Sequence, residues 1–155
     1  MKKIVFLSAM CAMLLVTVNV SAQTKVIAHR GYWDTEGSAQ NSIAALNKAH
    51  EIKAYGSEFD VIITSDGVTV VNHDDVIEGM RIEETPYEKI KDLKLKNGEV
   101  LPTLEEYLIA GKANNGTQLI LEIKPHKTKE NEDRAVAATL ALVKKYHLES
   151  QVEYI

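Results

Sequence analysis

Cysteine is nearly absent from this chain. Among 155 residues there is one, Cys11, and it lies in an apolar run near the N-terminus. Intrachain disulfides are therefore excluded, and the sequence after this run has no thiol for nucleophilic catalysis or for a zinc-thiolate site. Met10 stands directly before Cys11, where a lipid-attachment cysteine requires a small residue, so lipidation is the weaker interpretation of this position.

Positive charge is also scarce. The chain has 18 Lys and Arg against 22 Asp and Glu, a net charge of −4, and without Lys2 and Lys3 the remainder carries −6. This acidic balance argues against general binding to nucleic acid. An anionic substrate would therefore need local compensation, either from a bound metal ion or from a few well-placed cations.

One long apolar run is present, at residues 4–18, directly after the basic pair Lys2-Lys3. Small residues in Val20-Ser21-Ala22 then precede Gln23, which is the pattern of a secretory signal peptide. The run is short for a membrane span, and no basic stop-transfer residues follow it, so a retained membrane anchor is disfavoured. We expect residues 1–22 to be cleaved near Ala22-Gln23 and the rest to be periplasmic or secreted, with no transmembrane segment.

Internal repeats, low-complexity segments and a glycine-rich phosphate loop are absent as well. Gly31-Tyr32-Trp33 follows the first predicted strand without matching such a loop, which disfavours a doubly wound sheet. The chain alternates strands with helices, which predicts an α/β fold with a parallel sheet. Parallel strands are predicted at 25–28, 58–64, 118–124 and 151–155, a hairpin strand at 68–71, and helices over 41–55, from Thr85, from Thr103 and over 134–148.

Helix starts and packed faces can be predicted from the same pattern. Thr85-Pro86-Tyr87-Glu88 and Thr103-Leu104-Glu105-Glu106 both show the capping-box spacing, with Thr followed three residues later by Glu. Helical periodicity predicts two packed faces. The first comprises Ile43, Leu46, Ala49 and Ile52, and the second comprises Val136, Leu140 and Val143.

Four strand–helix units in succession predict half of a TIM (β/α)₈ barrel, a fold that carries its chemistry at the C-terminal ends of its strands. Such a barrel needs about 250 residues. Residues 23–155 supply 133 of them and four parallel strands. We therefore expect residues 23–155 to be the N-terminal part of a longer barrel domain and not to be a competent enzyme alone.

Side-chain alternation places three carboxylates together. In the second parallel strand Glu58 and Asp60 share one face, while the apolar Phe59 and Val61 share the other. Glu122 occupies the matching position in the third parallel strand. Three convergent carboxylates repel one another unless a cation binds them, and oxygen ligands favour Mg²⁺, Ca²⁺ or Mn²⁺ over zinc.

Two histidines stand near predicted strand ends beside other polar residues. His29 ends the first strand and is followed by Arg30, a residue type that binds phosphate through two hydrogen bonds. The hairpin returns His73 and Asp74 toward the strand of Glu58. These residues suit proton transfer beside a metal-bound phosphate ester. We interpret His50, His126 and His147 as ordinary surface or hydrogen-bonded polar residues.

In the order of its motifs the chain resembles the glycerophosphodiester phosphodiesterase family over residues 25–155. The motifs that carry the resemblance are His29-Arg30-Gly31, Asn41-Ser42, Glu58-Phe59-Asp60, Thr64-Ser65-Asp66-Gly67, His73-Asp74, Pro102-Thr103-Leu104-Glu105-Glu106 and Glu122-Ile123-Lys124. The resemblance implies a TIM barrel and a divalent metal held by Glu58, Asp60 and Glu122. It also implies His29 as base, His73 as acid, and Arg30 and Lys124 as phosphate contacts.

The implied reaction is hydrolysis of a glycerophosphodiester to glycerol 3-phosphate and an alcohol, through a cyclic phosphate. Two alternatives remain open: a lysophospholipid-cleaving enzyme of the same fold, and a catalytically silent half-barrel or binding module. The sequence departs from the family pattern at Gln40, where the family usually has Glu, which affects the charge near the site. It departs again at residues 76–84, which lack the usual threonines and glycines and affect the leaving-group pocket.

Overall fold

The computed structural model describes residues 24–155, so the predicted signal peptide and Cys11 lie outside the described residues. Its elements in chain order are β1 (Ile27–Ala28), α1 (Ile43–Glu51), β2 (Gly56–Ile63), β3 (Thr69–Val71), β4 (Val76–Ile77), β5 (Met80–Arg81), α2 (Leu104–Ala113), β6 (Gln118–Ile123), α3 (Lys129–Lys145) and β7 (Val152–Tyr154). Short 3₁₀ turns lie at Ile82–Glu84 and Tyr87–Lys89. Within the described range no helix is long and apolar enough to cross a membrane.

The main sheet has the parallel strand order β1-β2-β6-β7, so each strand lies beside the one that precedes it among the four. This is the winding of a barrel, whereas a doubly wound sheet reverses direction at a switch point. The register pairs Asp60 with Glu122 across β2 and β6. The predicted hairpin is also present, because β3 runs antiparallel to β2 with Val71 opposite Val61.

The core lies between the sheet and the three helices. Every residue of β2 is buried, as expected for a parallel strand covered on both faces. Phe59 on β2 stacks on Tyr107 of α2 with ring centroids 4.4 Å apart. Burying one such side chain contributes roughly 1.5–3 kcal/mol to stability. The same cluster includes Leu46, Val61, Val71, Leu104, Leu108, Leu119, Leu121 and Val143.

The capping box predicted at Thr103 is present, and the one predicted at Thr85 is wrong. The Thr103 hydroxyl accepts a hydrogen bond from the backbone N–H of Glu106, whose carboxylate accepts the Thr103 N–H in return. The Thr85 hydroxyl instead donates to the Arg81 carbonyl at 2.8 Å. A 3₁₀ turn follows Pro86, and no side chain caps it.

The structure corrects the predicted bounds and the predicted packed faces of the first and last helices. The last helix begins at Lys129, capped by Thr128, five residues before the predicted start at Arg134. Its buried residues are Ala135, Thr139 and Val143, whereas Val136 and Leu140 are 41% and 49% exposed. Small side chains face the sheet because they let the helix approach closely. The first helix ends at Glu51, which leaves Ile52 exposed.

Candidate active site

The three predicted carboxylates meet across the paired strands β2 and β6. Glu58, Asp60 and Glu122 each present an oxygen within 4.8 Å of the others. Glu58 and Asp60 share a face because strand side chains alternate, and the parallel register sets Glu122 opposite Asp60. The geometry predicted from the sequence is therefore confirmed for this trio.

The environment of the trio suits a bound cation. Glu58 and Asp60 are only 4% and 1% exposed. Burial raises the pKa of Glu58, and repulsion from Asp60 and Glu122 adds to this rise, while a hydrogen bond from the Arg30 backbone opposes it. Among residues 24–155, Glu58 Oε1 has no hydrogen-bond donor. Carboxylate oxygens that repel one another, and of which Glu58 Oε1 and Asp60 Oδ1 accept no hydrogen bond from the described residues, fit a hard divalent ion.

The segment after β1 turns back over Glu58. Arg30 and Gly31 both have positive φ, and this turn directs the Arg30 N–H at Glu58 Oε2, 2.7 Å away. His29 Nε2 lies 3.9 Å from the same oxygen, and its side chain is 69% exposed. The His29 ring is therefore open to solvent while it lies beside the carboxylates.

Two cations flank Asp60. The Arg30 Nε lies 3.9 Å from Asp60 Oδ2, and its Nη1 donates to Gln40 Oε1 at 2.8 Å. Lys124 Nζ lies 2.8 Å from Glu122 Oε1 and 3.3 Å from Asp60 Oδ1. Burial lowers the pKa of Lys124, but hydrogen bonds and attraction from Glu122 and Asp60 outweigh it, so the net shift is upward. Both side chains are positively charged at neutral pH.

His73 lies beside the carboxylate cluster without touching it. Its neighbour Asn72 donates a backbone hydrogen bond to the Asp60 carbonyl at 3.0 Å. Its own Nδ1 lies 2.7 Å from Asp74 Oδ1, which leaves Nε2 as the second ring nitrogen. His73 lines a cavity of about 740 Å³. The structure thus groups six of the seven predicted site residues and places the seventh on an adjoining cavity wall.

Three residues of the site were not given roles in the sequence analysis. Asn41 bonds Asp60 twice, Gln40 accepts from Arg30, and the Glu99 carboxylate accepts the N–H groups of Ile43 and Ala44 at the start of α1. Asn41 has φ of 61°, a conformation that asparagine tolerates better than most residues. Its place just before a helix cap could have indicated a special role.

The remaining histidines behave as predicted. His126 Nε2 accepts the Ile63 N–H at 3.1 Å, and burial lowers the pKa of its ring. His50 Nδ1 lies 3.0 Å from the Thr117 hydroxyl. His147 is exposed. None of the three approaches the carboxylates in the way that His29 does.

Comparison with known proteins decides the family. Residues 29–153 match the glycerophosphoryl diester phosphodiesterase family. The chain belongs to that family. It is 40% identical over 97 residues to a glycerophosphodiester phosphodiesterase of Caldanaerobacter subterraneus, covering 54% of this chain and 39% of that protein. It is 31% identical over 120 residues to human glycerophosphodiester phosphodiesterase 1, covering 68% of this chain and 35% of the human protein.

Solved structures of the family confirm the predicted fold class. A glycerophosphodiester phosphodiesterase from Parabacteroides distasonis is 52% identical, with a TM-score of 0.83 over 84% of this chain and 55% of that one. An Oleispira antarctica phosphodiesterase, solved with its product sn-glycerol-3-phosphate, is 28% identical, with a TM-score of 0.72 over 84% of this chain and 56% of that one. Relatives of this family are TIM barrels, and the present chain spans about half of their length.

Proposed function

We propose that the protein hydrolyses glycerophosphodiesters to glycerol 3-phosphate and an alcohol. The observation that carries this proposal is a trio of carboxylates, two of them buried, with His29, Arg30 and Lys124 around it. Family membership supports the same reaction class. The structure of the Oleispira antarctica relative with sn-glycerol-3-phosphate supports the product assignment by similarity.

Glu58, Asp60 and Glu122 would hold one divalent cation, for which Mg²⁺ or Ca²⁺ and also Mn²⁺ are suitable by their preference for oxygen ligands. When bound, such an ion acts as a Lewis acid toward phosphate oxygens. The protein contributes the fixed positions of the carboxylates, because Arg30 N–H orients Glu58 and Asn41 orients Asp60. Preorganisation of this kind reduces the cost of reorganising the site during reaction.

Arg30 and Lys124 would bind the phosphate group of the substrate. Arg30 presents a planar fork of donors that matches two phosphate oxygens, and Lys124 adds a compact point charge. The neutral Gln40 amide accepts a hydrogen bond from the Arg30 guanidinium without offsetting its charge, and the Asp60 carboxylate lies 3.9 Å from Arg30 Nε. These cations provide the local compensation that an anionic substrate needs on an acidic protein.

The two histidines would move the protons. The glycerol hydroxyl next to the ester attacks phosphorus and gives its proton to His29. The bond from phosphorus to the alcohol oxygen breaks, and His73 protonates that oxygen from Nε2. Water then opens the resulting cyclic phosphate with the two roles exchanged. Attack by a hydroxyl of the same molecule gains from a high effective concentration.

Product analysis by ³¹P NMR tests the reaction. The whole barrel domain, of which residues 23–155 are expected to be the N-terminal part, is incubated with glycerophosphocholine and Mg²⁺, Ca²⁺ or Mn²⁺. It should release glycerol 3-phosphate and choline, and a chelator should stop the release. His29→Ala should abolish turnover, while the exposed His147→Ala should retain it. Turnover of lysophospholipids with a cyclic phosphate as the final product would favour the alternative enzyme. Cation binding without turnover of either substrate would favour a silent binding module.

We also propose that residues 1–22 direct export of the protein, on the support of their sequence pattern. N-terminal sequencing of protein recovered from the periplasm or medium should begin at Gln23. Recovery of the intact N-terminus in the membrane fraction would contradict this proposal.

A further inference from the structure

The cavity beside His73 has three walls. They are the segment 33–41 after β1, the β4–β5 hairpin, and residues 94–96. Its volume of about 740 Å³ falls in the range typical of small-molecule sites. Asn41 lines the cavity and bonds Asp60 at 2.9 Å, so the cavity opens directly beside the carboxylate cluster.

Hydrogen bonds hold the first wall in place. Lys48 Nζ donates to the Thr35 hydroxyl at 2.7 Å, which ties the wall to α1. The Asn97 amide donates to the Gly37 carbonyl at 3.3 Å and to the Glu99 carboxylate at 2.7 Å. Glu99 in turn accepts two N–H groups from the first turn of α1. The segment that follows residues 94–96 is therefore hydrogen-bonded both to the segment 33–41 and to α1. Hydrogen bonds within the protein therefore fix the segment 33–41.

Negative charge dominates the lining. It includes the four carboxylates of Asp34, Glu36, Asp74 and Glu78, against the two ammonium groups of Lys94 and Lys96. Asp74 is engaged by His73. Within residues 24–155, Asp34, Glu36 and Glu78 have no ion-pair partner. A cleft with an excess of charge of one sign concentrates ligands of the opposite sign.

Trp33 adds a second feature that favours cations. It lines the same cavity, and the face of an indole ring attracts ammonium groups more strongly than any other aromatic side chain does. An aromatic surface beside carboxylates suits a quaternary or primary ammonium, which carries both apolar surface and positive charge. A neutral polyol or an anionic group would gain neither contact.

We propose that this cavity binds the alcohol end of the substrate and selects alcohols that carry a positive charge. Asp34, Glu36, Glu78 and Trp33 are its specificity-determining residues. The position of the cavity in the reaction rests on the proposed function, because it is His73 that would protonate the departing alcohol. Its preference for cations rests on the lining alone and can be measured without catalysis.

Tryptophan fluorescence provides that measurement. The chain has one tryptophan, so emission from the protein reports on Trp33 alone. Choline should change this emission in a saturable titration. Its neutral carbon isostere 3,3-dimethyl-1-butanol should bind about fivefold more weakly, the size expected for cation–π and charge attraction at a partly exposed site. Ionic strength of about 0.5 M should weaken choline binding and leave the isostere unaffected.

Charge-removing variants identify the residues responsible. The triple variant Asp34→Asn, Glu36→Gln and Glu78→Gln should bind choline and the isostere equally well. A control with the same change in net charge, Glu51→Gln, Asp92→Asn and Glu149→Gln, alters exposed acids outside the cavity lining. The control should keep the fivefold preference. All six substitutions are at exposed positions and nearly isosteric, so the variants should fold.

Equal affinity for choline and its isostere in the unmodified protein would overturn the proposal, as would an equal loss of preference in both triple variants. These titrations contain neither metal nor diester, so their outcome does not depend on turnover. Conversely, a protein that hydrolyses diesters but shows no preference for choline in kcat/KM over glycerol as the alcohol would retain the proposed function and lose this inference.

Discussion

Asn41 holds Asp60 by both ends of its amide: Nδ2 donates to Asp60 Oδ2 at 2.9 Å, and Oδ1 accepts the Asp60 backbone N–H at 3.2 Å. The backbone of Asn41 adds a third tie, because its N–H donates to the Arg30 carbonyl at 3.1 Å. One asparagine thus fixes the orientation of a metal-ligand candidate and of the phosphate-binding segment together.

Replacement of Asn41 should weaken cation binding. Loss of a partner that orients a metal ligand typically lowers metal affinity about 10–100-fold, and we expect Asn41→Gly to lower the affinity for the cation by a similar factor. Glycine retains the positive φ of 61°, so this variant removes the amide without straining the backbone. Titration with Mn²⁺ followed by EPR measures the effect, and unchanged affinity would show that Asp60 needs no such support.

Glu58→Gln should stabilise the metal-free protein at neutral pH. Burial raises the pKa of Glu58, so the folded state binds its proton more tightly than the unfolded chain does. As pH rises from the pKa of Glu58 in the unfolded chain through its higher pKa in the folded protein, the folded state loses stability. Glutamine does not titrate and avoids that loss. The side-chain carbonyl oxygen of the introduced glutamine can still accept the Arg30 N–H. We expect a melting temperature a few degrees above that of the unmodified protein at pH 7.

The gain from Glu58→Gln should vanish below about pH 4, where both states of the original carboxyl are protonated. Excess divalent cation should reverse the order at pH 7 by stabilising the unmodified protein alone. A lower melting temperature for the variant at pH 7 without metal would show that the carboxylate is not destabilising.

His73→Ala should affect substrates according to their leaving groups. A general acid typically contributes 10²–10⁴-fold, and we expect a loss of about that size with glycerophosphocholine. A nitrophenyl diester releases nitrophenolate, which is stable as an anion and needs no acid. The variant should therefore recover most of the lost rate with this substrate. His29→Ala should lower kcat/KM for both substrates because attack always needs a base. Equal loss of kcat/KM on both substrates in His73→Ala would assign His73 a positioning role instead.

Gly31→Ala should destabilise the fold far more than Gly37→Ala. Both glycines have positive φ, at 77° and 71°, so both variants carry a backbone cost of about 1–2 kcal/mol. A Cβ on Gly31 would also lie 2.5 Å from Ala45 Cβ, whereas none of the described atoms lies within 4 Å of a Cβ on Gly37. Overpacking adds about 1–3 kcal/mol at Gly31. Urea unfolding of the two variants measures the difference, and equal losses would contradict it.

The central geometry of the site could be predicted because it follows from short-range periodicity. Alternation along β2 puts Glu58 and Asp60 on one face, and a parallel neighbour brings Glu122 level with them. His29 and Arg30 follow from their place at the end of β1. In each case the position along a strand fixes the position in space.

Long-range hydrogen bonds could not be predicted in this way. Glu99 caps α1 from 56 residues along the chain, and Asn41 reaches Asp60 across 19 residues. No local sequence pattern predicts either contact. The packed face of α3 was missed for a different reason, since hydrophobicity favours Val136 and Leu140 while close approach to the sheet selects Ala135 and Thr139.

Isothermal titration of the protein with Mg²⁺, Ca²⁺ and Mn²⁺ tests the central claim that Glu58, Asp60 and Glu122 hold one divalent cation. We predict one site per chain for at least one of these ions. Glu58→Gln, Asp60→Asn and Glu122→Gln should each weaken it at least about tenfold, whereas the remote Glu149→Gln should leave it unchanged. Absence of binding by all three ions, or binding that survives all three site substitutions, would contradict the account.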